Sequence, residues 1–128
     1  MSKLDFESYQ VFTNSLAAYN TQAYVYVPNR LYEDQQDGLQ INWLYPALAL
    51  GEEAGEVQGK IAKFVRKSSD DVEGLRDLVK KELGDVLYQV SQLAYEFGLT
   101  LQEVAEGNVE KLEDRKERGV IVGEGDNR

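Results

Sequence analysis

The sequence contains no cysteine and no histidine, and these two absences exclude several classes of protein. A disulfide-stabilised scaffold and a zinc site with Cys or His ligands cannot be built. A Ser-His-Asp triad and a thiol nucleophile are excluded too, and di-iron sites built on Glu-x-x-His pairs are disfavoured. Any chemistry must therefore use carboxylates, amides, hydroxyls, Lys and Arg, and such ligands suit Mg²⁺, Mn²⁺ or Ca²⁺.

Long apolar runs are also missing. No segment approaches the roughly 18 apolar residues that span a bilayer, and residues 1–12 lack the apolar segment of a secretory signal. We therefore expect a soluble cytoplasmic protein with no membrane partner. Acids outnumber bases by 23 to 14, and the net charge of −9 argues against nucleic-acid binding. The 128 residues, 42% of them hydrophobic, predict a single domain over 1–128 with a buried core.

Only two prolines occur, and helical periodicity runs through most of the chain. The sequence predicts an all-α fold resembling a four-helix bundle, with helices over about 5–20, 41–67, 72–97 and 100–118. Residues 21–40 are predicted to form a loop or short helices, and residues 119–128 an extended tail. Pro46 is compatible with the second helix only in its first turn or at a kink. Gly98 should end the third helix, and Thr100 with Glu103 has the spacing of a capping box.

The second helix carries Glu52, Glu53 and Glu56 on a stripe beside its apolar face, followed by Lys60 and Lys63 on the same side. An ordinary solvated stripe, with Glu56 and Lys60 as an i,i+4 pair, is the simpler interpretation of this helix taken alone. A second stripe consists of three glycines, at positions 51, 55 and 59. Glycine weakens a helix, so we expect this stripe to allow close approach of another helix.

The third helix places Glu82 within its apolar face and Asp85 at the edge of that face. A buried carboxylate needs a partner, either a metal ion or a salt bridge to Lys or Arg. Glu53 with Glu56 and Glu82 with Asp85 each have i,i+3 spacing, which puts both side chains on one face. An antiparallel arrangement of the two helices would bring these pairs together around one or two small cations.

The fourth helix separates its charges, with most acids on one side and Asn108, Lys111 and Arg115 toward the predicted bundle. These inward groups suit phosphate oxygens and the edge of a ligand. Alternatively, Asn108 fixes the helix register while the two cations extend to solvent or pair with Glu82 and Asp85.

The same residues carry a family resemblance. The segment Glu52-Glu53-Ala54-Gly55-Glu56, followed after 25 residues by Glu82-Leu83-Gly84-Asp85, resembles the EExxE…ExxD motif of MazG-like nucleoside triphosphate pyrophosphohydrolases. The segment 108–115, Asn-Val-Glu-Lys-Leu-Glu-Asp-Arg, is also similar to that family. The resemblance extends over residues 41–118.

The resemblance implies an all-α homo-oligomer, a dimer or a tetramer, with a housekeeping role in the nucleotide pool. It implies Mg²⁺-dependent hydrolysis, with Mn²⁺ as a substitute, of an NTP or dNTP to the monophosphate and pyrophosphate. The implied metal ligands are Glu53, Glu56, Glu82 and Asp85, and the implied catalytic acids are Glu52 and Glu53. The implied substrate contacts are Asn108, Lys111, Arg115, Lys60 and Lys63.

The sequence is also compatible with two other functions. One is a non-enzymatic helical interaction module, which predicts that Lys or Arg satisfies Glu82 and that Mg²⁺ leaves thermal stability unchanged. The other is the same fold acting on an alarmone such as ppGpp. The metal motif does not distinguish among bases, sugars or these phosphate esters.

Overall fold

A computed structural model describes residues 4–17, 24–25, 39–40 and 43–120 of the chain. Four helices dominate these residues: α1 (Phe6–Ser15), α2 (Leu44–Arg66), α3 (Val72–Glu96) and α4 (Leu101–Glu117). Between α1 and α2 along the chain, the two-residue strands β1 (Tyr24–Val25) and β2 (Leu39–Gln40) pair antiparallel. The all-α prediction is confirmed. None of the helices in these described ranges is long and apolar enough to cross a membrane.

The predicted bounds of α3 and α4 are right to within one residue. The predicted end of α1 and the predicted start of α2 are wrong. Helix α1 ends at Ser15 instead of residue 20. The backbone amides of Leu16 and Ala17 donate to the carbonyl oxygens of Thr13 and Asn14, three residues earlier, instead of continuing the α-helical pattern. Helix α2 begins at Leu44 instead of residue 41, which puts Pro46 in the first turn as its ring requires. The predicted loop and tail lie outside the described residues, except for positions 24–25, 39–40 and 119–120.

Local polar contacts explain where the helices begin and end. Asp5 caps α1 by accepting from the Ser8 amide at 2.8 Å, and the Ser8 hydroxyl accepts from the Asp5 amide. The predicted capping box of α4 is confirmed, with the Thr100 amide donating to Glu103 Oε2 at 2.7 Å and the Glu103 amide donating to Thr100 Oγ1. Gly98 has a φ of +69° just after α3, a conformation that glycine adopts without strain.

Helices α2 and α3 form an antiparallel hairpin and have the most extensive contact of any pair among the described helices. Residues 67–71 connect them, and Asp71 caps α3 through the Gly74 amide at 2.9 Å. At the opposite end of the hairpin, the rings of Trp43 and Phe97 lie with centroids 5.9 Å apart. This hairpin carries both acidic motifs, so its register determines which carboxylates meet.

Helix α1 packs against α3 and α4 through polar side chains. Thr13 Oγ1 and Ser91 Oγ are 2.7 Å apart in a buried contact, and Gln92 Nε2 donates to Asn14 Oδ1 at 3.0 Å. Gln10 also joins α1 to the start of α4, because its side chain accepts from the Leu101 amide. Among the described residues, the most deeply buried side chains are thus mostly polar: Gln92, Thr13, Pro46 and Ser91.

The glycine stripe of α2 does not serve the expected purpose within the described part of this chain. Apart from the backbone of α2 itself, a Cβ atom at Gly51, Gly55 or Gly59 would meet no heavy atom within 4 Å. No neighbouring described helix therefore requires the small side chains, and the expectation of close approach is wrong for this hairpin.

Candidate metal and phosphate site

Three carboxylates from the two helices of the hairpin converge at one place. Glu53 of α2 and Glu82 and Asp85 of α3 each offer an oxygen atom, and these oxygens all lie within 4.8 Å of one another. The i,i+3 spacing puts Glu82 and Asp85 one turn apart on α3, and the antiparallel packing brings Glu53 opposite them. The predicted meeting of the two motifs is confirmed for these three residues, which we call the carboxylate cluster.

The carboxylate cluster perturbs the acid of Glu53. Partial burial raises the pKa of Glu53, and the negative charges of Asp85, Glu52, Glu82 and Glu56 raise it further. Both causes disfavour the ionised form, the first by removing water and the second by repulsion between like charges. A cation at this position would therefore relieve an unfavourable interaction that is already built into the fold.

A lysine neutralises one member of the cluster. Lys60 Nζ is 3.1 Å from Glu82 Oε1 and 3.6 Å from Glu56 Oε2, and the Glu82 side chain is only 16% exposed. The hydrogen bond and the charge of Glu82, with a smaller contribution from Glu56, raise the pKa of Lys60. This contact is the salt bridge that the alternative interpretation of Glu82 predicted. The Lys60 ammonium group carries one positive charge, against three negative charges on the cluster acids.

The other two motif acids lie at the edge of the site. Glu56 is not part of the carboxylate cluster and instead faces Lys60, with 53% of its side chain exposed. Glu52 is exposed and lies near enough to Glu53 to raise its pKa. Their predicted roles, a metal ligand for Glu56 and a catalytic acid for Glu52, remain predictions.

A lysine-lined cavity lies between Lys60, the partner of Glu82, and the α2–α3 connection. Its volume is about 460 Å³, and its lining includes Lys60, Lys63 and Lys67 from α2 together with Ser69 and Asp71 from the connection. These lysines follow i,i+3,i+7 spacing and therefore share one face of the helix. Apolar side chains complete the lining: Phe64, Leu75 and Leu78. The predicted phosphate contacts Lys60 and Lys63 thus share one cavity. Lys67, which was not predicted to bind phosphate, lines the same cavity.

The three residues predicted to point inward from α4 behave differently from one another. Arg115 is buried, with 5% of its surface exposed, as the helical periodicity predicted. Asn108 and Lys111 are exposed, so the inward orientation expected for them is wrong within this chain. The buried residues of α4 are Leu101 and Arg115, near its two ends, and Asn108 and Lys111 lie between them. Their substrate-binding roles remain predictions.

Helix α1 also reaches the site, through a residue that the sequence did not identify. Burial raises the pKa of Tyr9, and the negative charge of Asp85 raises it further, followed by Tyr88. Tyr9 therefore lies close enough to Asp85 for the charge of this cluster residue to affect the Tyr9 hydroxyl. No local sequence pattern shows that two helices so distant in the sequence meet there.

The donor set of the carboxylate cluster fits a small hard cation. All three groups are oxygen ligands, and Mg²⁺ in proteins is commonly held by a few carboxylates while keeping other positions for water and phosphate. The raised pKa of Glu53 is a second sign that the cluster holds more negative charge than its surroundings balance.

Comparisons with known proteins give one family and one relative. Residues 45–120 match the family described as the MazG nucleotide pyrophosphohydrolase domain, and this range includes the whole carboxylate cluster and Lys60. The chain is similar to the Gene 37 protein of Mycobacterium phage L5, with 44% identity over 85 residues, 66% of this chain and 75% of the phage protein. No solved structure matches the chain.

Proposed function

This chain belongs to the MazG nucleotide pyrophosphohydrolase domain family, and from that premise we propose that it converts an NTP or dNTP to the monophosphate and pyrophosphate. The observation that carries the proposal is the convergence of Glu53, Glu82 and Asp85 across the α2–α3 hairpin. A carboxylate cluster beside a lysine-lined cavity suits a polyphosphate whose charge must be neutralised from two sides. We propose a housekeeping role in the cytoplasm, with neither nucleic acid nor membrane as partner.

The proposed cofactor is Mg²⁺, with Mn²⁺ as a substitute. Glu53, Glu82 and Asp85 would hold it, and Glu56 would join them by releasing Lys60. When bound, Mg²⁺ supplies neutralisation of phosphate charge and makes a water molecule more acidic. The two helices contribute a fixed arrangement of oxygen ligands, since the hairpin positions all three cluster residues before any substrate arrives.

Lysine and arginine side chains would bind the anionic substrate. Lys60 and Lys63 line the cavity next to the cluster, so their ammonium groups are suited to the phosphate oxygens of the substrate. Asn108, Lys111 and Arg115 of α4 are proposed as further contacts to the nucleotide. The exposed positions of Asn108 and Lys111 leave both side chains accessible to a ligand.

Two acids are candidates for accepting the proton that the attacking water releases. Glu53 belongs to the carboxylate cluster, and Glu52 lies beside it in an exposed position. The variants Glu52→Gln and Glu53→Gln separate the two roles. An acid that only accepts the proton can be replaced without loss of Mg²⁺-induced thermal stabilisation, whereas replacing a metal ligand reduces both stabilisation and turnover.

We propose that the protein is a homodimer or a tetramer. Large apolar side chains on α2 and α3 are exposed in the single chain: Leu48, Ile61, Val65, Leu78, Leu83 and Leu87. Apolar side chains that are exposed in a single chain and lie on neighbouring helices are typical of a protein–protein interface. Sedimentation equilibrium is expected to give two or four chains, and a monomer at micromolar concentration would contradict the proposal.

The non-enzymatic interaction module is the second candidate, because one specific observation favours it. The Lys60–Glu82 salt bridge satisfies the half-buried carboxylate without any metal ion, as that hypothesis predicted. It leaves unexplained why Glu53 and Asp85 are placed against the same carboxylate. The two candidates differ in their response to Mg²⁺, which should stabilise an enzyme of this family and leave the module unchanged.

The decisive experiment measures pyrophosphate release from each common NTP and dNTP, with Mg²⁺ and with EDTA. We expect Mg²⁺-dependent release from at least one nucleotide and a loss of at least ~100-fold in Glu82→Gln. Glu110→Gln, which neutralises an exposed acid on α4, is the matched control and should keep full activity. Circular dichroism verifies that both variants are folded. Full activity of Glu82→Gln, or no release from any nucleotide, would refute the proposal.

A further inference from the structure

We infer that Lys60 competes with the divalent cation for the Glu82 carboxylate and leaves Glu82 when the cation binds. This inference rests on the proposed function, since it concerns the metal ion assigned to the carboxylate cluster. Glu82 has two uses in the fold: one of its oxygens belongs to the cluster, and its Oε1 lies 3.1 Å from Lys60 Nζ. Lys60 therefore provides positive charge at the place where the cluster attracts a cation.

Electrostatic repulsion disfavours a state in which both cations bind the Glu82 carboxylate. A cation held by carboxylates lies about 2.0–2.6 Å from their oxygens, so it would be within a few ångströms of an ammonium group bound to the same residue. Like charges at that separation repel strongly where water is partly excluded. The Glu82 and Lys60 side chains are 16% and 23% exposed, so solvent screens this repulsion only in part.

The side chain of Lys60 has another position available. It also lines the cavity with Lys63 and Lys67, where it would meet the phosphates of a substrate. Its second acidic partner, Glu56, whose Oε2 is 3.6 Å from Nζ, is itself a proposed metal ligand and would release Lys60 as well. A flexible four-carbon stem allows the movement into the cavity without a change in the backbone. The cation would thereby free Lys60 for the substrate, which couples metal binding to phosphate binding.

Lys63 provides a matched comparison. It lines the same cavity one turn further along α2, and within the described part of the chain no ion pair links it to an acid. Replacing either lysine by Met removes one positive charge close to the carboxylate cluster. Only replacement of Lys60 also removes a competitor from Glu82, so the difference between the two variants isolates the competition from the general effect of charge.

The test is a calorimetric titration of the full chain with Mg²⁺, and separately with Mn²⁺, in the absence of nucleotide. Lys60→Met is expected to bind the cation about three- to tenfold more tightly than the unsubstituted protein, and Lys63→Met less than about twofold. Lys60→Gln, which keeps a hydrogen-bonding side chain at Glu82, serves if Lys60→Met proves unstable. In the unsubstituted protein, the NMR signal of the Lys60 Cε protons should shift when the cation is added.

The outcomes separate this inference from the proposed function. Tighter binding by Lys60→Met than by Lys63→Met supports the competition. Equal affinities for the two variants, or weaker binding by Lys60→Met, overturn the inference and leave the proposed metal site intact. If none of the proteins binds Mg²⁺ or Mn²⁺, the proposed metal site is wrong and the inference is wrong with it.

Discussion

Neutralising Glu53 should stabilise the metal-free protein while destroying its response to Mg²⁺. The Glu53 carboxylate lies within 4.8 Å of the acids of Glu82 and Asp85 and belongs to none of the salt bridges found among the described residues. The variant Glu53→Gln removes this repulsion and keeps both the size of the side chain and its tendency to form a helix. Most point substitutions destabilise a protein, so a gain in stability is a distinctive outcome.

The structure gives the size of the effect. Two unit charges 4.8 Å apart repel by about 0.9 kcal/mol in water and about 3.5 kcal/mol at an effective dielectric constant of 20. Asp85 is exposed and Glu53 is only partly buried, so the lower part of this range applies. Lys60 also offsets part of the charge of Glu82. We expect a gain of about 1–2 kcal/mol in the free energy of unfolding, or about 3–8 °C in Tm.

The gain should depend on pH in a defined direction. The pKa of Glu53 is raised above its ordinary value of 4.5 in the folded protein, so ionised Glu53 destabilises the fold at any pH above the raised value. As the pH falls through that value toward 4.5, the folded protein takes up the proton and the repulsion disappears. The gain in the free energy of unfolding of Glu53→Gln should therefore be largest at neutral pH. It should decrease as the pH falls from the raised pKa toward 4.5 and be absent at lower pH.

Thermal unfolding with EDTA, and then with Mg²⁺, is the assay. Glu110→Gln is the control, because it removes one negative charge from an exposed site and reports the effect of net charge alone. Mg²⁺ should raise the Tm of the unsubstituted protein and of the control, and raise that of Glu53→Gln much less. If Glu53→Gln is no more stable than Glu110→Gln at neutral pH with EDTA, the carboxylates do not repel one another as argued.

Three further changes test the fold. Thr13→Val should cost about 1–3 kcal/mol in chemical unfolding, because it leaves the buried Ser91 hydroxyl without its 2.7 Å partner. The double variant with Ser91→Ala should recover part of this cost, and strict additivity would contradict a direct contact. Thr100→Ala should cost about 0.5–2 kcal/mol by removing the cap of α4, and an unchanged Tm would show that the cap contributes nothing. Gly55→Ala should gain about 0.5–1 kcal/mol, since its Cβ meets nothing within 4 Å; a loss would indicate that a second chain packs there.

The parts of the structure that depend on short-range pattern were predictable from sequence. Pro46, Gly98 and the Thr100 capping box mark helix limits through their own covalent geometry or through contacts three residues away, and each marker is confirmed. The meeting of Glu53 with Glu82 and Asp85 was predictable too, because a short connection forces two amphipathic helices to pack antiparallel.

The features that depend on distant packing were not predictable. Asn108 lies on the helical face that periodicity assigns to the interior, but only the length and tilt of the neighbouring helices decide whether anything covers it. The negative charge of Asp85 raises the pKa of Tyr9, which is 76 residues away in the sequence, and no local pattern encodes this proximity. The choice of Lys60 as the partner of Glu82 depends on the register of the hairpin, which periodicity defines only to about a turn.

The α2–α3 hairpin has a kinetic consequence. All three acids of the carboxylate cluster belong to two helices joined by residues 67–71, so bringing them together closes only a short loop and costs little chain entropy. Contacts of this kind form early in folding, before elements that are distant in sequence have docked. The carboxylates should therefore reach their positions before α1 packs on α3, and a nascent chain that has completed the hairpin should already be able to capture its cation.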